Sequence, residues 1–131
     1  MRIAIYRPGP SPFGSIVELD AAAATTPVAR TKGFAGRPSV GPDEAIFFAF
    51  PADTDVPFTM RHTLVPLDIV FVCRDGHVIR VTTAPARMPD PIVAPRPYRY
   101  VLEVPGGWLA RHGIGGDATL GWSPVALGPV V

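Results

Sequence analysis

Charged side chains are scarce in this chain of 131 residues. They make up 18% of the sequence, whereas a typical soluble domain carries about a quarter. The 12 basic and 11 acidic residues leave a net charge of +1, so the basic excess by which many nucleic-acid-binding proteins are recognised is missing. Lys32 is the single lysine, and arginine supplies the other basic side chains. The low fraction of charged residues favours an apolar surface patch or a protein interface. Arginine also suits the ordered and paired positions of an interface.

Cysteine and long apolar runs are also rare. Cys73 is the sole cysteine, so no internal disulfide can form, and its apolar neighbours at 70–72 indicate a small buried hydrophobe. No run approaches the ~20 apolar residues that a membrane span needs. The N-terminal residues contain no apolar stretch of signal-peptide length. We therefore expect no membrane partner, and a location in the cytoplasm or within a particle such as a virion.

Proline and glycine are abundant and spread along the chain. The 17 prolines and 13 glycines separate short apolar runs, which is typical of short strands joined by turns and excludes long helices. Because 47% of residues are hydrophobic, a chain of this length can bury a core without metals or disulfides. The composition predicts one small β-rich domain.

The pattern along the chain predicts seven or so short strands, two short helices and one clear hairpin. Strands are expected at 3–6, 16–19, 45–50, 67–73, 78–83 and 98–104, with 58–63 extended and 118–122 a candidate for the last strand, and residues 21–24 are unassigned. Thr26 and Pro27 predict the start of a helix that runs to residue 32, and residues 107–113 predict a second. Asp75 and Gly76 mark the hairpin.

These elements predict a mostly β fold, either a small antiparallel barrel or a sandwich-like domain with two short helices. We expect an N-terminal extended arm over residues 1–14, a single β-rich domain over 15–122 and a C-terminal tail over 123–131. The proline-rich stretch at 84–97 is expected to be a long loop that is functional or wraps a surface.

Four sequence blocks, in order, resemble one known family. They are GFAGR at 33–37, AIFFAFP at 45–51, FTMRHTLVPLDI at 58–69 and YVLEV at 100–104, the last followed by glycines and an isoleucine at 107–114. The third is similar to the signature F-W-M-K-N-T-L-I-P-L-D-I of the domain-of-unknown-function 192 (DUF192) family. The resemblance covers about residues 16–120. It implies a compact, barrel-like β domain and brings no established activity, cofactor or substrate.

The chain departs from the family pattern at four positions. Thr59 stands where the family usually has Trp, Arg61 where it has Lys, His62 where it has Asn, and Ala45 where it has Gly. If the family has a ligand site built from those side chains, this chain has altered it.

Candidate site residues come mainly from the third block. A charge within an apolar strand must be paired or hydrogen-bonded, so Asp68 is expected to accept hydrogen bonds from the backbone or from Thr63, or to pair with an arginine. Glu103 shares the expected polar face of its strand with Arg99, and the favoured interpretation is an exposed or cross-strand ion pair. An alternative hypothesis places Asp68 and Glu103 together as paired carboxylates. A candidate binding cleft would contain Arg37, Arg61, His62, Thr63, Asp68 and Glu103.

The remaining motifs point to no chemistry. The spacing of the three histidines and Cys73 fits no metal site. Residues 113–117 lack the lysine of a phosphate-binding loop, and no serine has a nucleophile-elbow setting. The sequence therefore predicts no catalytic residue, no cofactor and no metal.

Three functions remain open on the sequence. The preferred hypothesis is a non-enzymatic interaction module that docks on a larger assembly or on itself, with a capsid or virion decoration subunit as one setting. The alternative is a small-ligand-binding domain with a polar cleft around Arg61, Asp68 and Glu103. A hydrolase that uses the two carboxylates is the third. No nucleic-acid partner is expected.

Overall fold

The fold consists of two β-sheets and two short helices. The computed structural model describes residues 1–10 and 14–123. The elements are β1 (Arg2–Arg7), β2 (Ser15–Asp20), β3 (Ala22–Ala24), α1 (Pro27–Lys32), β4 (Ile46–Thr54), β5 (Leu67–Val72), β6 (Val78–Ala84), β7 (Tyr98–Pro105), α2 (Trp108–Arg111) and β8 (Thr119–Trp122). The mostly β prediction is confirmed in its sandwich-like form, since neither sheet closes into a barrel over the described residues.

The smaller sheet has three antiparallel strands in the order β2-β1-β8. Its central strand is β1, whose Ile3 and Ile5 are fully buried. The N-terminal arm expected over 1–14 is therefore wrong for residues 2–7, because the apolar alternation of this strand completes the core. Residues 11–13 lie outside the described residues, as does the C-terminal tail expected over 123–131 apart from Ser123.

The larger sheet has five strands in the order β3-β4-β7-β5-β6. All its neighbours are antiparallel except β3, the stretch left unassigned on the sequence, which pairs in parallel with β4. The expected hairpin joins β5 and β6, and Gly76 has a φ of 92°. A side chain there would collide with the carbonyl of Leu120, so glycine is required.

Residues 58–63 differ from the extended strand expected there. Phe58 forms a single bridge with Ile92, and the amide of Thr63 then donates to the carbonyl of Met60 across a turn. The turn buries Met60 completely while leaving Arg61 and His62 exposed. The turn therefore places Met60 in the hydrophobic core.

Two hydrophobic clusters lie on opposite faces of the five-stranded sheet. The first fills the space between the sheets and joins Ile3 and Ile5 to Val70 and Leu102. The second, on the far face, includes Phe34, Met60, Ile69 and Val101. Successive residues of a strand face opposite sides, so β5, buried along its whole length, contributes to both clusters.

The proline-rich loop before β7 packs on its own domain. Ile92 is buried at 3% exposure, and Met88 and Ala94 pack against the second cluster. The backbone of Ile92 exchanges two hydrogen bonds with that of Phe58. The loop therefore helps to hold the segment at 58–63 in place.

Helix α1 begins as the sequence predicts. Thr26 accepts a hydrogen bond from the amide of Ala29 at 3.1 Å, and Pro27 occupies the first turn. We expect Thr26→Ala to lower the free energy of unfolding by about 1 kcal/mol, as measured by urea denaturation. Thr26→Ser keeps the cap and serves as the control. Equal stability of the two variants would show that the cap contributes nothing.

Candidate ligand-binding pocket

A cavity of about 370 Å³ opens on the far face of the five-stranded sheet. One wall is formed by α1 and the turn that follows it, and another by the segment from Val56 to Thr63. Strand β4 contributes Phe48 and Phe50, and β7 contributes Glu103. The amide of Gly36 donates to the carbonyl of His62 at 2.8 Å, which ties the two walls together.

Glu103 is the most unusual group in the cavity. It is 5% exposed, and its carboxyl makes no hydrogen bond or ion pair with any described residue. Every described side-chain polar atom that is closed off from solvent has a partner. The unpartnered oxygens of Glu103 must therefore reach the open space of the cavity. Burial raises the pKa of this carboxyl from 4.5 to about 8, so it is mostly protonated at neutral pH.

Gly33 leaves room for this carboxyl. Its φ is 44°, a conformation that favours glycine. A Cβ atom at this position would lie 3.4 Å from Oε1 of Glu103 and 3.2 Å from the ring of Phe48. The glycine therefore lets the end of α1 approach both groups closely.

The walls of the cavity are largely aromatic. Phe48 meets Phe58 edge to face with 5.1 Å between ring centroids, and Phe50 lies 6.4 Å from Phe58. Phe34 and Thr63 also line the cavity, at 1% and 6% exposure. Like the carboxyl of Glu103, the hydroxyl of Thr63 has no hydrogen-bond partner among the described side chains and backbone groups. The interior thus combines aromatic surface with two buried polar groups.

Basic side chains stand on the outer part of the cavity. Arg30 donates through Nη1 to the carbonyls of Thr25 and Ala49, at 2.9 and 3.0 Å, and its guanidinium lies 4.9 Å from the centroid of the Phe50 ring. Lys32 is exposed on the last turn of α1, and His62 is exposed on the opposite wall. Glu103 is the sole carboxylate among the described residues that line the cavity.

The structure brings together three of the six residues expected in a cleft. His62, Thr63 and Glu103 line the cavity, whereas the other three lie elsewhere. Arg37 forms a partly exposed ion pair with Glu44 at 2.8 Å. Arg61 is exposed and does not line the cavity.

Asp68 has a structural role on the other side of the sheet. It is 1% exposed and accepts hydrogen bonds from the hydroxyl of Thr83 at 2.7 Å and from the amides of Gly107 and Leu109 at 3.1 and 2.9 Å. The backbone bonding expected for Asp68 is therefore observed, with Thr83 in place of Thr63. These bonds attach the start of α2 to β5.

The two carboxylates share no cleft. Asp68 lies opposite Val104 in the β5–β7 register, and Glu103 lies opposite Ile69. Adjacent positions on a strand face opposite sides of the sheet, so the two side chains are separated by the sheet itself. The paired-carboxylate hypothesis is wrong for this reason. The exposed or cross-strand ion pair expected for Glu103 is also wrong, because its carboxyl is buried and has no ionic partner among the described residues, while Arg99 pairs with Asp53.

Sequence reasoning missed most of the aromatic and basic lining. Arg30, Lys32 and the phenylalanines of the lining are absent from the cleft that the sequence predicts. One signal did point to the cavity: each of the four blocks that resemble the DUF192 family contributes to its lining. The blocks supply Gly33 and Phe34, then Phe48 and Phe50, then the segment from Phe58 to Thr63, and finally Glu103.

Other kinds of site find no support in the described part of the chain. No cluster of three or more metal-binding side chains occurs there. None of its helices is long and apolar enough to cross a membrane.

The fold and cavity define a two-sheet β domain with a pocket on one outer face. Residues 12–122 match the model of the DUF192 family, described as an uncharacterized ACR. The chain belongs to this family, as the four blocks indicated.

Two solved structures are similar over nearly the whole chain. One is a protein of Sinorhizobium meliloti 1021 that has been suggested to be a transcription regulator, with 26% identity, a TM-score of 0.82 and coverage of 92% of this chain and 91% of the other. The second is a protein of unknown function from Novosphingobium aromaticivorans, with 29% identity, a TM-score of 0.81 and coverage of 92% and 84%. None of the curated proteins matches this chain significantly.

Proposed function

We propose that this protein is a small-molecule-binding domain whose site is the aromatic cavity around Glu103. The observation that carries the proposal is the carboxyl of Glu103, which is buried, has no protein partner among the described residues and opens into the cavity. Buried polar groups in native proteins are nearly always hydrogen-bonded. A bound molecule would supply the partner that this carboxyl lacks.

The shape and lining of the cavity support this function. Ligand pockets are typically concave, mostly apolar and equipped with a few converging polar groups. Here the aromatic rings form the apolar part, and Glu103 and Thr63 are the buried polar groups. A perturbed carboxyl within such a cavity is typical of functional sites.

The family resemblance supports the same place. Two of the four positions at which this chain departs from the family pattern, Thr59 and His62, also line the cavity. Threonine is much smaller than the tryptophan usual at position 59, so this chain leaves more space there. The departures suggest that the cavity has been adjusted to a particular ligand.

The docking hypothesis gains no support from the N-terminal arm and the proline-rich loop, because β1 lies within the smaller sheet and the loop packs on its own domain. The comparisons give no support to a capsid or virion setting. The hydrolase hypothesis needed two carboxylates in one cleft, and the cavity contains one.

Binding can be tested with three small molecules that share a phenyl ring and differ in charge. The probes are phenylacetate, phenethyl alcohol and phenethylamine, each titrated into ¹⁵N-labelled protein. At least one is expected to bind with a dissociation constant of about 1 mM or tighter and to shift the amide signals of Gly33, Thr63 and Glu103. A titration in which all three probes leave these signals unmoved would refute the proposal.

A matched pair of variants tests whether the probes bind in the cavity. Ala35 lines the cavity, whereas Ala52 is exposed on β4 and does not. Ala35→Phe should fill part of the cavity and weaken binding by about tenfold or more, while Ala52→Phe should bind as the wild type does. Equal weakening in both variants would place the binding elsewhere.

A further inference from the structure

We propose that the ligand is a small organic anion with an apolar, ring-sized body, whose charged group lies between Arg30, Lys32 and His62. This inference rests on the proposed function and names the chemical class of the ligand. It comes from the distribution of charge around the cavity, which differs from that of the whole chain.

The ionisable side chains that line the cavity are mostly basic. The protein as a whole carries a net charge of +1, yet the cavity is lined by two permanently basic side chains and a histidine against a single carboxyl. The chain's one lysine is among them. A concave, partly apolar site with one sign of charge concentrates ligands of the opposite sign.

Arg30 is already held in position to bind an anion. Nη1 is occupied by the carbonyls of Thr25 and Ala49, and the guanidinium lies over the ring of Phe50. A guanidinium has five N–H donors in a rigid plane, so donors remain for a ligand. Because its orientation is fixed, little conformational entropy is lost when an anion binds.

The interior fits an apolar body. A volume of about 370 Å³ lies at the small end of the range for ligand pockets. The rings of Phe48 and Phe50 each approach that of Phe58 edge to face, an arrangement that also suits an inserted aromatic ring.

The carboxyl of Glu103 does not repel an anionic ligand at neutral pH. Its carboxyl is the one acidic group facing the cavity from β7, while Arg30 and Lys32 face it from α1 and His62 from the opposite wall. Burial raises its pKa to about 8, so at neutral pH it is mostly uncharged and can donate a hydrogen bond to a ligand oxygen.

The three phenyl probes distinguish this inference from the proposed function. At pH 7 we expect phenylacetate to bind about tenfold more tightly than phenethylamine, with phenethyl alcohol between them, in the NMR titration. Tightest binding of the amine, or equal binding of all three, would overturn the inference and leave the proposed function intact. Failure of all three to bind would remove both.

Lys32 provides the decisive variant. Lys32→Gln should weaken phenylacetate binding by about three- to tenfold and leave phenethyl alcohol unchanged, whereas Lys32→Arg should bind as the wild type does. Arg74→Gln removes the same charge at the exposed hairpin turn, outside the cavity, and should have no effect. Equal losses in Lys32→Gln and Arg74→Gln would show that general charge, rather than this site, attracts the anion.

Discussion

Replacing Glu103 by Gln is expected to remove most of the pH dependence of stability between about pH 5 and pH 8. Burial raises the pKa of Glu103 from 4.5 to about 8 in the folded protein. Between these values the folded state holds a proton that the unfolded state has lost, so stability falls as the pH rises through this window. Above pH 8 the penalty is fully present, and below pH 4.5 it is absent.

The size of the effect follows from the shift. Each pKa unit corresponds to about 1.4 kcal/mol, so Glu103→Gln should raise the free energy of unfolding by about 3–5 kcal/mol at pH 9 and change it little at pH 4. Urea denaturation at a series of pH values measures this difference.

Glu18 offers a matched control. Its side chain is 54% exposed in an ion pair with Arg2, and exposed pairs contribute little to stability. Glu18→Gln should therefore reproduce the pH profile of the wild type. If Glu103→Gln also reproduces it, the carboxyl of Glu103 is solvated in the folded protein and does not mark a ligand site.

Replacing Asp68 by Asn is expected to lower the free energy of unfolding by about 2–4 kcal/mol at pH 7. Asp68 accepts three hydrogen bonds through its two oxygens, two of them from backbone amides at the start of α2. Asparagine retains one acceptor oxygen and places an NH₂ group against a donor. At least one buried amide is left without an acceptor, which costs about 1–3 kcal/mol, and the bonds to a charged group are lost as well.

Thr83→Val separates the contribution of the Thr83 hydroxyl from that of the two backbone amides. It removes one of the three donors without leaving a buried amide unpaired, so it should cost about 1 kcal/mol or less. A protein in which Asp68→Asn is no more destabilising than Thr83→Val would show that the amides of Gly107 and Leu109 do not depend on this carboxylate.

The strands were predictable because their signals are local. The apolar runs around Phe48 and Ile69 and the Asp75–Gly76 turn fix β4, β5 and the hairpin without reference to distant residues. The N-terminal strand was also visible as an apolar alternation. Its assignment to an arm failed because the prolines that follow it suggested a linker, and sequence pattern does not show which strands pair.

The candidate site was harder to predict because it depends on which face each residue occupies. Alternation in β7 placed Glu103 on a polar face with Arg99, but this sheet is covered on both sides and Glu103 is buried. The hypothesis that Asp68 and Glu103 share one cleft depended on how their strands pair, and only the register of β5 with β7 shows that the sheet separates them. Arg30 and Lys32 come from a helix that no sequence signal links to β7.

The single lysine has a practical consequence. Lys32 is the one side-chain amine in the sequence. Amine-reactive dyes and cross-linkers therefore have one side-chain target, and it stands at the mouth of the cavity. Most proteins carry many lysines, so such reagents label them at scattered positions. Here a fluorescent label on the lysine would lie beside the cavity, where it could report ligand binding.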